Sequence, residues 1–178
     1  MRKNIVLTLT GKDRIGIVQH ITELVLHHNG NVEASRMARL GGEFAMLMLI
    51  SVPAGMFESL NNDIQNLQKE GFTITHSQTE VMGPKEETSS MPYRIEVHGA
   101  DHEGIIHEIV SHLVKYNGNI ESMETSNYKA PMSGISLFMM DAIVTVPPQI
   151  NFNKLKEELT AISDSLNIDI HISPYTGK

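Results

Sequence analysis

Two short loops in this chain carry residues suited to holding a small zwitterion. The first is Gly11-Lys12-Asp13-Arg14-Ile15-Gly16-Ile17 and the second is Gly99-Ala100-Asp101-His102-Glu103-Gly104-Ile105. Each places a carboxylate and a glycine where an apolar-periodic helix begins. Backbone amides at a helix N-terminus lack partners within the helix and carry the positive end of its dipole, so they attract a carboxylate. Glycine lets a ligand approach the backbone closely, and Asp13 or Asp101 can accept hydrogen bonds from an ammonium group. An amino acid presents both groups. The candidate binding residues are therefore Asp13, Arg14, Ile15, Gly16, Ile17 and Asn31 in the first half, and Asp101, His102, Glu103, Gly104, Ile105 and Asn119 in the second. The same residue types also serve turns. Aspartate caps its own loop through local hydrogen bonds, and Asn31 and Asn119 each follow a glycine at a helix exit.

Other chemistries find less support. With no cysteine, disulfides, thiolate nucleophiles and cysteine-containing zinc motifs are excluded. Nine histidines include His20, His27 and His28 on the first helix and His98, His102, His107 and His112 around the second. No HExxH-like pair accompanies them, so packing or surface roles are expected and no metal is assigned. Met37, Met46, Met48, Met139 and Met140 alternate along strands, as gap-fillers in a core or pliable interface do. Ser133-Gly134 lacks a nucleophile-elbow pattern, and the loop from Gly11 to Gly16 lacks the Lys-Ser/Thr of a phosphate-binding loop. Neither catalysis nor a cofactor is expected.

The two loops belong to an internal repeat. Gly11 maps onto Gly99 at a shift of 88 (99 − 11), and the same shift carries Ile21 onto Ile109, Asn29-Gly30-Asn31 onto Asn117-Gly118-Asn119, and Glu33 onto Glu121. Within the first copy, Ile5, Leu7 and Leu9 alternate as in a strand, whereas Ile17, Val18, Ile21, Leu24 and Val25 recur at helical spacing. Asn29-Gly30 is expected to end that helix, because glycine tolerates the left-handed conformation needed just past a helix end. Val32 to Leu40 and Phe44 to Val52 read as strands joined by a tight hairpin at Gly41-Gly42. A helix on Phe57, Leu60, Ile64 and Leu67 and a strand from Phe72 to Val81 complete the copy.

The order βαββαβ then recurs over Tyr93 to His98, Gly104 to Tyr116, Ile120 to Asn127, Ile135 to Val146, Phe152 to Leu166 and Ile168 to Ile172. The fold class is α+β: two ferredoxin-like units, each a four-stranded antiparallel sheet with two helices on one face. The expected division is a first domain over 1–82, a polar, proline-flanked linker over 83–92 and a second domain over 93–178. Apolar residues on both sides of the third strand leave one sheet face to be covered, so a neighbouring unit or second chain, and a homodimer or larger, are expected.

Hydrophobic residues make up 40% of the chain and charged residues 20%, a mixture that can bury a core. Net charge is −7, which repels polyphosphate and argues against direct nucleic-acid binding. Met1 to Ile5 runs straight into strand-like alternation, and no stretch approaches the roughly 18 apolar residues of a membrane span, so a cytoplasmic location without membrane contact is expected. Charge diverges between the copies. Arg14, Arg36 and Arg39 are matched by His102, Glu124 and Asn127, which suggests edges that meet different surfaces.

Together these residues resemble the ACT domain, a ferredoxin-like module that binds amino acids where two such domains meet. Ser35-Arg36-Met37-Ala38, Leu40 to Met48 and Ala130 to Phe138 look like the glycine cleavage system transcriptional repressor family, and the likeness runs from Lys3 to Pro174. That resemblance implies a tandem ACT pair that responds to glycine or a similar small amino acid. It also implies action through a partner protein, such as a transcription activator, without touching DNA. The alternatives are a stand-alone regulatory subunit of an amino-acid metabolic enzyme, or a protein that keeps the fold only to oligomerise.

Overall fold

The computed structural model describes residues 1–80 and 90–177. It forms two compact units, Met1–Gly83 and Pro84–Lys178. The first contains β1 (Arg2–Lys12), α1 (Ile17–His27), β2 (Asn31–Leu40), β3 (Glu43–Pro53), α2 (Phe57–Gln68) and β4 (Thr73–Thr79). The second contains β5 (Met91–Ala100), α3 (Ile105–Lys115), β6 (Asn119–Lys129), β7 (Ser136–Val146), α4 (Phe152–Leu166) and β8 (Ile168–Pro174). Each unit is thus a βαββαβ ferredoxin-like sandwich. The sheets run β2-β3-β1-β4 and β6-β7-β5-β8, with antiparallel pairing throughout. No helix among the described residues is long and apolar enough to cross a membrane.

Alternation along the central strands decides what is buried. Ile5, Leu7 and Leu9 of β1 and Met46, Met48 and Ile50 of β3 form one core with Ile17, Ile21 and Val25 of α1 and Leu60, Ile64 and Leu67 of α2. Because both helices share that core, both cover the same sheet face. The second unit repeats this with Ile95, Val97, Met140 and Val144 beneath α3 and α4. On the other face of β3, Leu47 stays 48% exposed.

A polar clamp joins the two helices in each unit. In the first, His28 is buried with Nδ1 at 2.8 Å from the Leu24 carbonyl, and its Nε2 faces Ser59 Oγ at 3.2 Å and Asp63 Oδ2 at 3.3 Å. In the second, Tyr116 holds the matching position and donates its hydroxyl to Glu158, which raises the phenol's pKa. The shared location marks His28 as a packing residue.

Several details depart from the sequence reading. The residue that turns left-handed after α1 is Asn29, with φ 53°, and after α3 it is Asn117, with φ 51°; Gly30 does not. Gly30 is needed for space instead, since a Cβ there would lie 2.7 Å from Val25 Cγ1 and 2.8 Å from the Val25 carbonyl. Gly41 and Gly42 do both take positive φ, as a tight hairpin requires. Of the expected linker, residues 83–89 lie outside the described residues. Met91 and Pro92 belong to β5, because β7 extends far enough to pair Val146 and Thr145 with them. Val81, expected at the end of the fourth strand, also lies outside the described residues.

Gly99 sits in β5 directly against β8. A Cβ at Gly99 would fall 2.5 Å from Ile168 Cγ2 and 2.9 Å from Ile168 Cα, so backbone would have to move. Gly99→Ala is therefore expected to destabilise the second unit by about 1–3 kcal/mol, read as a lower urea midpoint by circular dichroism.

Candidate functional site

Both suspected loops adopt one geometry. Gly16 and Gly104 each have φ 94°, a left-handed conformation that favours glycine, and each immediately precedes its helix. That requirement has a chemical consequence. A glycine at the N-cap has no side chain to satisfy the first amides, and neither α1 nor α3 has a side-chain cap. The first helical hydrogen bonds are His20 N to the Gly16 carbonyl and Glu108 N to the Gly104 carbonyl, so three amides precede each of them. By contrast α4 is capped by Asn151, whose side chain accepts from the Asn153 and Lys154 amides.

The aspartates are fixed in the same way in both units. Asp13 N donates to the Gly42 carbonyl at 3.0 Å and Asp101 N to the Ser136 carbonyl at 2.9 Å, tying each loop to its hairpin. Their carboxylates meet the far end of the adjoining strand. Asp13 Oδ2 lies 3.4 Å from Arg39 Nη1, and Asp101 Oδ2 accepts from Asn127 Nδ2 at 2.8 Å.

The other candidates divide. Arg14 turns away from its aspartate, donating to Glu70 Oε2 at 2.8 Å with its guanidinium 4.5 Å from the centre of the Phe72 ring. His102 also turns away, with Nε2 at 3.0 Å from the Leu166 carbonyl and Nδ1 at 3.1 Å from that of Glu103. Ile15 and Glu103 are exposed, whereas Ile17 and Ile105 are buried anchors of their helices. Asn31 and Asn119 sit at the opposite end of the sheet. Asn31 pairs with Ser51 while Arg39 pairs with Phe44, and the eight residue steps from Asn31 to Arg39 span about 26 Å of strand.

A β-bulge at Glu33, and another at Glu121, explains what those asparagines do. Asn31 Nδ2 donates to Glu33 Oε1 at 3.1 Å and Ser51 Oγ donates to it at 2.6 Å. The Ser51 and Asn31 hydrogen bonds, with Arg2 adding its charge, hold the Glu33 carboxyl below the usual range. Asn119 and Thr145 approach Glu121 in the same pattern. Within each unit these residues fasten the start of an edge strand.

The units differ in the space beside the helix start. In the second, an open groove of about 880 Å³ is lined by Asp101, His102, Gly104, Ile105, Ile106, His107, Val110, Thr125, Ser126, Asn127 and Phe138. Four of these were singled out from sequence. The others come from the first two turns of α3 and from β6 and β7. At the positions of Thr125, Ser126 and Asn127 the first unit carries Met37, Ala38 and Arg39. There Arg14, Ile15, Gly16 and Ile17 line a different hollow of about 350 Å³, closed by Glu70 and Phe72. Among the described residues, no group of three or more His, Asp and Glu is placed to hold a metal ion.

The uncovered sheet face of the second unit holds a third feature. Arg94 donates to Asp141 from Nε at 3.0 Å and from Nη2 at 2.5 Å, with Glu96 3.4 Å from the same guanidinium. The hydrogen bonds from Arg94 hold the Asp141 carboxyl below its ordinary value and raise the guanidinium's own pKa.

The fold and the two helix starts define this molecule as a tandem of ACT-like units. Residues 3–77 match the ACT domain family, and the second unit repeats the same topology element for element. The particular likeness is to the glycine cleavage system transcriptional repressor of Escherichia coli (strain K12), 49% identical over 47 residues, which cover 26% of this chain and 25% of that protein. The match thus spans about a quarter of the length of that curated relative. Over the whole chain, a protein of unknown function from Galdieria sulphuraria is 29% identical with a TM-score of 0.83, covering 99% of this chain and 100% of that one. The crystal structure of a candidate glycine cleavage system transcriptional repressor shares the fold at 20% identity and a TM-score of 0.69, covering 99% of each chain.

A depressed carboxylate contributes stability above its unfolded pKa, near 3.9 for aspartate, and loses it as pH falls through the lower folded value. Asp141→Asn should therefore be less resistant to urea than the parent at pH 7, with the difference shrinking as pH falls below the ordinary aspartate range and through the lowered folded value. Urea midpoints measured across that range check it.

Proposed function

We propose that this protein is an amino-acid-responsive regulator of the glycine cleavage repressor kind, with the groove at the start of α3 as its sensing site. One observation carries the reading: uncapped amides at Gly104 and the Asp101 carboxylate line a single groove. A ligand carboxylate is held by the amides and the helix dipole. Its ammonium group is held by Asp101, which Asn127 keeps in place. The first unit has the same helix start, but Arg39 pairs with Asp13 and Met37 replaces Thr125. Sensing is accordingly assigned to the second unit.

Signal output runs through contact with a partner protein, such as a transcription activator, in the cytoplasm. The net charge of −7 supports this over direct DNA contact. The half-exposed Leu47 on the open sheet face of the first unit is consistent with self-association into a homodimer.

Calorimetric titration of the full chain with amino acids tests the site. Asp101→Ala removes a charge-assisted hydrogen bond of about 1.5–3 kcal/mol and should weaken binding by roughly 10- to 100-fold. Asp13→Ala should leave binding nearly intact. Equal loss in both variants, or in neither, contradicts the assignment.

A further inference from the structure

We propose that the groove of the second unit selects an amino acid with an apolar side chain of leucine or methionine size rather than glycine. This rests on the reading of the groove as the amino-acid site and concerns the part of it that a ligand's head group does not fill.

Asp101, Asn127 and the amides following Gly104 gather where α3 begins, and His102, His107, Thr125 and Ser126 add polar groups to the walls. Between them runs an apolar strip. Ile106 and Val110 stand one helical turn apart on one face of α3, Phe138 is buried at 6% exposure, and Thr125 lies on β6. Ile106 remains 38% exposed. A volume of about 880 Å³ falls within the range of about 300–1,000 Å³ typical of small-molecule pockets. Glycine has no side chain to reach Ile106 or Val110, and would leave their exposed surface in water. A side chain of four heavy atoms could cover them.

The first unit indicates that this lining is not dictated by the fold. The same scaffold there carries Thr22 in place of Val110 and Met37 in place of Thr125. The position of Val110 carries a hydroxyl in the first unit and is apolar in the second, where it lines the groove. The small Thr125 leaves open the space that an unbranched methionine can fill.

Calorimetry on the full chain with glycine, alanine, valine, leucine and methionine tests the proposal. Affinity should rise along the series, with leucine or methionine bound at least tenfold more tightly than glycine. Val110→Thr should lower the ratio of leucine to glycine affinity several-fold, and Thr125→Met should lower it further by filling the side-chain space. Glycine bound as tightly as leucine, with Asp101→Ala still weakening binding, overturns the proposal while leaving the groove as the amino-acid site. An unchanged ratio in both variants also overturns it. Failure of all five amino acids to bind removes the proposal and the site together.

Discussion

Everything proposed for this molecule depends on the reversal between the first strand and first helix of each unit. At Gly16 and Gly104 the backbone must pass through φ 94°. An L side chain is strained in that conformation, by roughly 1–2 kcal/mol. A residue chosen for its backbone freedom cannot also cap the helix it starts. The helix therefore opens on amides that no side chain satisfies, at the positive end of its dipole. The turn requirement and the anion-attracting property are one constraint.

The rest of each sandwich holds that reversal in place. Ile17 and Ile105, immediately after the glycines, are buried among the central strands and set where the helix begins. Asp13 and Asp101 bind the neighbouring hairpin through their amides and the edge strand through their carboxylates. At the far end, the bulged Glu33 and Glu121 collect hydrogen bonds from Asn31 and Asn119. Two units sharing this frame differ at the surface beside the helix start. In the first, Arg39 and Met37 stand beside the helix start; in the second, Asn127 and Thr125 leave room.

Much of the frame was legible in the residues. Period-two and period-3.6 patterns, together with the repeat, located the eight strands and four α-helices among the described residues, and α4 spans Phe152–Leu166 as the spacing predicts. The two hairpin glycines at 41 and 42 also adopt the expected conformation, because few residues tolerate two successive positive φ values. What spacing could not convey was which way side chains turn and what lies across the sheet. Arg14 stacks on Phe72 and His102 reaches the Leu166 carbonyl, contacts made across long sequence separations. Asn31 stands by chain order close to the helix it follows, yet antiparallel pairing carries it to the sheet end away from Asp13. Thr125 and Ser126 escaped notice for the converse reason: they are distant from Gly104 in sequence and adjacent to it only once β6 is paired.

Amide-resolved NMR tests the central claim most directly. Titrating the isotopically labelled full chain with leucine should move the amide resonances of Ile105, Ile106 and His107 far more than those of Ile17, Val18 and Gln19. Equal movement at both helix starts, or movement centred elsewhere with these six unchanged, would contradict the account.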